Sequence, residues 1–458
     1  MNHRTNRREF LSNAARAGAG LWVAGAAGCA RVKPAVKSRT LSPSEKLNIA
    51  CIGVGGRGVE DTDGVAGENI VALFDVDEAQ AAKTFERFPD AKRYQDFREL
   101  LGPLGKSIDA VVISAPDHIH APAAMMAMAQ GKHVFCQKPL AHSILEVRMM
   151  TEMAAKKKLA TQMGIQGHSM NGHRRAVELL QAAVIGPVRE VYAWSDRPIW
   201  PQGIDRPKET EPVPPTLNWD LWLGWSPRRP YNHIYVPFNW RGWWDWGCGA
   251  LGDMGCHNMD VAFWGLKLGA PTSCEAEVSD VHKETFPKAS TIRWQFPARG
   301  MMPPVRLTWY DGGGKPPAEL APGVKLPTNG CLFIGTKGRR LLAPDWHAND
   351  FKLLPEKEFK DFKGPKGTIP RSPGHYEEWI AACKGGAPAL ANFSYSGPMT
   401  EAVLLGNVAI RMGKKIEWDS KNMRAKNCPE ADAVIKPDTP WWGATTVVGW
   451  RRWDEQKR

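Results

Sequence analysis

Gly53-Val54-Gly55-Gly56-Arg57-Gly58 directly follows the largely apolar run Leu47–Ile52, and Asp75 closes the next apolar run 22 residues beyond Gly53. The chain has 44 glycines, so glycine spacing alone selects little. The order strand, glycine turn, short helix, second strand and terminal acid is far more restrictive. In that order Gly53 permits a tight turn, Gly55 lets the backbone approach a pyrophosphate, and Gly58 lets helix pack closely on strand. Gly56 and Arg57 complete the turn, and the helix that follows offers free N–H groups and a positive dipole end to the phosphates. Asp75 is placed to accept hydrogen bonds from a ribose 2′-hydroxyl and to repel a 2′-phosphate. The motif therefore points to NAD rather than NADP.

Residues 45 to about 166 alternate strand and helix. Ile70–Phe74 and Ala110–Ser114 are continuous apolar runs, as expected of parallel strands covered on both faces. Helices are expected at 78–88, 121–130 and 143–157, and further strands at His133–Cys136 and Leu159–Met163. This pattern is an α/β doubly wound Rossmann sheet, whose ligands bind beyond the carboxyl ends of the strands. Val188–Asp196, Ser273–Asp280, Thr291–Phe296, Val305–Tyr310 and Cys331–Gly335 read as strands of a second, open, mostly antiparallel sheet in an α+β domain. Residues 312–328 and 361–374, rich in Gly and Pro, read as loops. The expected division is 1–44 signal peptide and linker, 45–168 NAD-binding Rossmann domain, and 169–458 substrate-binding and oligomerisation domain.

The chain ahead of the glycine motif has the pattern of a secretory leader. Arg7-Arg8-Glu9-Phe10-Leu11 precedes an Ala- and Gly-rich stretch from Ala14 to Ala30, and the arginine pair resembles a twin-arginine export signal. The stretch is too short and too glycine-rich for a stable membrane span. Ala26-Ala27-Gly28-Cys29 has the form of a loose lipobox, so lipidation of Cys29 and simple cleavage both stand, and a lipid there is the one expected membrane contact. The twin-arginine route carries folded proteins, and no pool of free NAD exists beyond the inner membrane. An exported or periplasmic NAD enzyme must hold its cofactor tightly and regenerate it in place.

The formal net charge is +12, but the lysines and arginines are scattered. They read as a solvated surface, and no nucleic-acid partner is expected. The nine cysteines lack metal-ligand spacing and several lie in apolar strand-like runs, so buried free thiols are the default.

Two strand ends carry chemistry: Ser114-Ala115-Pro116-Asp117-His118 and Gln137-Lys138-Pro139. With them the chain resembles the Gfo/Idh/MocA family of sugar and polyol oxidoreductases, which has a Pro-Asp-His-type turn after one strand and Glu-Lys-Pro after the next. Gln137 replaces that Glu; it can still hydrogen-bond a ribose hydroxyl but brings no charge. The resemblance spans roughly residues 45 to 415 and places Ser114, Pro116, His118, Gln137 and Lys138 at the cofactor. A third motif, Gly249–Asp260, completes it. If a helix begins at Asp253, then Asp253, His257 and Asp260 share one face, and the carboxylate would orient the imidazole and raise its basicity. The resemblance implies Asp253 and His257 as an acid–base pair, with Lys138 polarising the reacting hydroxyl. A metal site from Asp253, His257 and Asp260 is not assigned, because one histidine between two carboxylates is a thin ligand set.

Nine tryptophans crowd residues 194–246, and their flat apolar faces suit the C–H faces of sugars, although most read as core or subunit interface. His168, Asn258, Arg241 and Trp243 are the expected substrate contacts. The family also implies a homo-oligomer, dimer or tetramer, through the outer face of the second sheet. The leading reading is an exported NAD-dependent oxidoreductase of a sugar or glycoside. An NAD-dependent glycoside hydrolase or lyase, working by transient C3 oxidation and elimination, stays open. A non-catalytic sugar-binding protein is a lesser alternative.

Overall fold

A computed structural model describes residues 42, 44–102 and 105–438. Arg7, Arg8 and Cys29 lie outside them. The first sheet has six parallel strands: β1 (Asn48–Ile52), β2 (Asn69–Phe74), β3 (Lys92–Tyr94), β4 (Ala110–Ile113), β5 (His133–Gln137) and β6 (Thr161–Gly164). They run in the order β3-β2-β1-β4-β5-β6, and the reversal of strand order lies between β1 and β4. This is a Rossmann sheet, and a crevice opens at that reversal beyond the carboxyl ends. β1 and β4 are buried almost throughout, because helices cover both faces and leave only apolar side chains room. β3 escaped the sequence reading. Lys-Arg-Tyr is short, polar and at the sheet edge, where no apolar pattern is required.

The second sheet has nine strands: β7 (Glu190–Trp194), β8 (Ser273–Val278), β9 (Ser290–Phe296), β10 (Val305–Tyr310), β11 (Gly330–Ile334), β12 (Arg340–Ala343), β13 (Lys352–Leu354), β14 (Ile416–Asp419) and β15 (Arg424–Ala425). Their order is β13-β12-β11-β7-β10-β9-β8-β14-β15. The pair β10–β7 is parallel and the other pairings are antiparallel. The four strands that pattern reading missed have four residues or fewer, too few to show a period of two.

The chain does not stay in the second layer after residue 169. Helix His375–Cys383 returns to the first sheet, where Trp379 and Cys383 join the core of Leu47, Ile49, Cys51 and Phe135. Trp379 meets Phe135 edge-on, with ring centroids 5.8 Å apart. Helix Phe393–Met412 then lies across the helix Ile144–Lys157, where Arg148 pairs with Glu401 through two hydrogen bonds of 2.7 Å.

The Gly249–Asp260 segment forms two helices rather than one. The first, Gly249–Asn258, begins four residues before Asp253, and a second, Asp260–Gly265, starts after Met259. Asp260 is therefore turned away from the face that carries Asp253 and His257. All eight cysteines among the described residues are free and buried. No helix among them is long and apolar enough to cross a membrane.

Candidate active site

A cavity of about 770 Å³ opens at the carboxyl ends of the parallel strands and runs from the glycine turn to the Gly249–Asn258 helix. Gly53 and Gly56 have φ of +76° and +51°, which a side chain would strain. A Cβ on Gly53 would fall 2.7 Å from Ala115 N, and one on Gly58 only 1.9 Å from Gly53 O, so these two glycines set the close packing of the turn. A Cβ on Gly56 would meet nothing within 4 Å, which leaves that face open to a ligand. Asp75 shapes the turn from below. Its Oδ2 accepts the N–H groups of Val54 (2.9 Å) and Gly55 (3.0 Å), and its Oδ1 accepts that of Asp77 (3.0 Å). Burial raises the Asp75 carboxyl above the usual range while those N–H groups oppose the shift. Oδ2 is thereby saturated, and Oδ1 keeps a lone pair for a ribose hydroxyl. The turn, its open face and the acid at the end of β2 fit a dinucleotide.

Beneath the turn lies a fully buried carboxylate that the sequence reading missed. Asp61 accepts from Ser114 Oγ (2.6 Å), Gln137 Nε2 (3.0 and 2.8 Å), Tyr376 OH (2.7 Å) and Arg57 Nε (3.3 Å). This accounts for glutamine where the family pattern has glutamate. An amide can donate to Asp61, whereas a second carboxylate would face it across hydrogen-bond distance.

At the far end, Lys138 Nζ donates to Asp253 Oδ1 and to the Asp253 carbonyl, each at 2.7 Å. Arg241 Nε donates to the same Oδ1 at 3.2 Å, and Arg197 Nε stands 4.0 Å from Oδ2. Burial would raise the Asp253 carboxyl, but Lys138 and Arg241 more than reverse this and hold it well below the usual range. His257 lines the same cavity, and its Nδ1 has no hydrogen-bond partner. Burial, then the Lys138 and His347 charges, push its pKa well below that of a free histidine, and Asp253 and Asp260 only partly offset them. The expectation that Asp253 orients His257 is thus corrected, and the rise in basicity that its charge gives is outweighed by burial and by the Lys138 and His347 charges. Asp253 is engaged by Lys138 and Arg241, and the imidazole is buried and neutral. Asp117 also lines the cavity. Burial pushes its carboxyl up to about 7 against the pull of Lys138 and Arg241.

Of the sequence-derived site residues, Gly53, Gly55, Gly56, Arg57, Asp75, Ser114, Pro116, Gln137, Lys138, Arg241, Asp253 and His257 line the cavity. Gly58 packs beneath it. His118, His168, Asn258 and Trp243 do not line it. His118 Nε2 meets the Trp222 carbonyl at 3.1 Å, and its ring packs on the Trp222 indole. Asn258 Nδ2 donates to Trp194 O at 2.6 Å, buried beside β7. Trp243 is fully buried among Tyr235, Trp246 and their neighbours, and His168 pairs with Asp260. A motif position (His118) or a side-chain type suited to sugars (His168, Asn258, Trp243) does not fix the direction in which a side chain points. Of the nine crowded tryptophans, Trp222 and Trp240 reach the cavity, joined by Trp346 from beyond β12.

Residues 47–165 match an oxidoreductase family with an NAD-binding Rossmann fold, and residues 190–299 match the C-terminal alpha/beta domain of that family. This pair of domains, with the glycine turn at one end of the cavity, defines a member of an oxidoreductase family with an NAD-binding Rossmann fold. The chain belongs to the Gfo/Idh/MocA family. An uncharacterised oxidoreductase of Streptococcus pneumoniae is 28% identical over 37% of this chain and 41% of its own length. Inositol 2-dehydrogenase 1 of Saccharopolyspora erythraea is 34% identical over 26% of this chain and 36% of its own. The matches thus span about two fifths or less of these relatives. Among solved structures, the WlbA dehydrogenase of Bordetella pertussis, in complex with NADH and UDP-GlcNAcA, superposes with a TM-score of 0.58. Its identity is 14%, over 83% of this chain and 99% of that one. The aldose-aldose oxidoreductase of Caulobacter crescentus gives 0.53 at 17% identity, over 82% of this chain and all of that one. At such identities these structures share the fold alone.

Proposed function

We propose that the protein is an exported enzyme that interconverts a secondary hydroxyl and a ketone on a sugar or glycoside, with NAD held through repeated turnovers. The observation that carries this reading is the meeting of Lys138, Asp253, Arg241 and His257 in the cavity that holds the glycine turn. When bound, the nicotinamide accepts or returns the hydride. Lys138, its Nζ fixed by both oxygens of Asp253 named above, donates to the reacting oxygen and stabilises charge developing there. His257, neutral and buried, has a lone pair to take the hydroxyl proton, and the Asp253 and Asp260 carboxylates favour the cation that forms. Trp222, Trp240 and Trp346 offer flat apolar faces to a sugar ring. Similarity to proteins named as inositol and aldose oxidoreductases supports a polyol or sugar substrate.

Export to the periplasm rests on the Arg7-Arg8 leader, with Cys29 either lipidated or removed with it. A homo-oligomer through the outer face of the nine-stranded sheet completes the reading. The test incubates the purified protein with a panel of sugars and glycosides and follows bound NADH and any released aglycone. A sugar that reduces the bound cofactor supports the reading. Sustained aglycone release without net NADH would replace it with a redox-neutral hydrolase, and no response across the panel would count against both.

A further inference from the structure

Behind the His257 wall of the cavity lies a second cluster, whose two histidines the proposed reaction does not use. His168 comes from the turn Gln166–Ser169 after β6, His173 from helix Asn171–Gln181, and Asp260 opens helix Asp260–Gly265. All three side chains are at most 1% exposed. One atom from each can be chosen so that all three lie within 4.8 Å of one another. Asp260 Oδ2 lies 2.9 Å from His168 Nδ1 and 3.1 Å from His173 Nε2.

The decisive atom is His173 Nε2. The other ring nitrogen, Nδ1, lies 3.0 Å from the His347 carbonyl, which can only accept, so Nδ1 carries a hydrogen. In the neutral ring Nε2 is then a bare lone pair. It sits 3.1 Å from a carboxylate oxygen, is not aligned with it for a hydrogen bond, and has no other partner. A buried lone pair beside a buried anion is repulsive, and an unpartnered ring nitrogen at zero exposure is costly. Two ligands of one tetrahedral ion with bonds of ~2.1 Å stand about 3.4 Å apart and point at the ion rather than at each other. His173 Nε2 has that relation to Asp260, whereas His168 Nδ1 is hydrogen-bonded to the Asp260 carboxylate and gives up its hydrogen when an ion takes the place between them. The surroundings are those of ligands held by outer partners. A backbone carbonyl fixes the His173 tautomer, Tyr395 OH donates to Asp260 Oδ1, and the Trp264 indole stacks on His168 at 3.9 Å.

We propose that His168 Nδ1, His173 Nε2 and Asp260 Oδ2 bind one divalent transition-metal cation, zinc by the chemistry of the donor set. Two imidazoles and one carboxylate suit a borderline cation better than calcium or magnesium. The ion sits next to the substrate end of the cavity. His347, whose carbonyl fixes His173, lines the cavity and packs edge-on to His257 with centroids 5.7 Å apart. It therefore positions the wall that carries His257.

The test uses full-length protein with its cofactor, dialysed against chelator and then against cobalt(II) or zinc, with metal counted by elemental analysis. One ion per chain is expected, with visible cobalt absorption of a low-coordinate nitrogen–oxygen site and a rise in melting temperature on loading. His173→Gln and, separately, His168→Gln should lose the ion and the absorption while keeping the far-ultraviolet circular dichroism of the wild type. If a variant fails to fold, the wild-type titration decides alone. A wild type that takes up no cobalt or zinc, with an unchanged melting temperature, would overturn the site. Nitrogen NMR showing His173 protonated on both nitrogens would overturn it too, by showing an ion pair of histidine and aspartate instead. Neither readout depends on the substrate, so failure here is separable from failure of the proposed reaction.

Discussion

Asp117 shows how a residue's surroundings settle what its type does not. The sequence placed it in a Pro-Asp-His turn but gave no reason to choose it over His118. In the structure Asp117 faces the cavity while His118 is buried against Trp222, because the helix starts at Asp117 rather than at residue 121. Its carboxyl is held up to about 7, while the unfolded chain releases that proton near 3.8. The native state therefore holds more protons between those values, and this group costs stability as pH rises from about 4 to about 7, at up to ~1.4 kcal/mol per unit. Asp117→Asn lacks that cost. Urea unfolding at pH 4 to 7 should show the variant gaining on the wild type as pH rises; a constant difference would contradict the burial argument. Asp75 was legible from sequence, but not its second role. Because it also accepts two N–H groups of the glycine turn, Asp75→Ala should weaken NAD binding strongly and narrow the preference against NADP. Unchanged NAD affinity by calorimetry would remove it from the site.

At the scale of elements, the glycine turn and the strands around it were readable because a period and a fixed local order announce them. The group beneath the turn was not. Gln137 lies 76 residues from Asp61, and Tyr376 lies 315 residues away on a helix that returns from the second sheet. Local pattern carries no record of such contacts. His168 and Asp260, 92 residues apart, escaped for the same reason, and the break at Met259 removed the single helical face on which Asp253 and Asp260 were expected to meet. The Asp61 group can be tested by a double-mutant cycle. Gln137→Glu should lower the melting temperature and weaken NAD binding, since it removes a donor and faces one buried carboxylate with another. Adding Asp61→Asn should recover much of the loss, as contacting residues couple. Additive losses would mean that the two side chains act independently.

For the whole molecule, both sheets and most of their strands followed from apolar runs. The chain's return to the first sheet did not, because helix His375–Cys383 has no sequence mark of its destination. The return ties the two sheets together at the cofactor end through Tyr376 and Trp379. Under the proposed twin-arginine export, the protein would cross the membrane folded and with its cofactor inside. Arg7→Lys with Arg8→Lys should then leave unprocessed, folded, NAD-loaded protein in the cytoplasm, as fractionation and immunoblotting would show. Normal export of that double variant would assign the leader to the general secretory route and take away the reason for a captive cofactor.

The central claim is that Lys138 and His257 act on a substrate hydroxyl beside bound NAD, and rapid mixing of NAD-loaded protein with a responsive sugar tests it most directly. Wild type should reduce its bound cofactor in one fast phase. Lys138→Met and His257→Ala should each slow that phase by roughly 10²–10⁴-fold while NAD stays bound, since a positioned proton-transfer group is worth that much. Near-normal reduction in either variant, with cofactor bound as in the wild type, would contradict the role assigned to that residue.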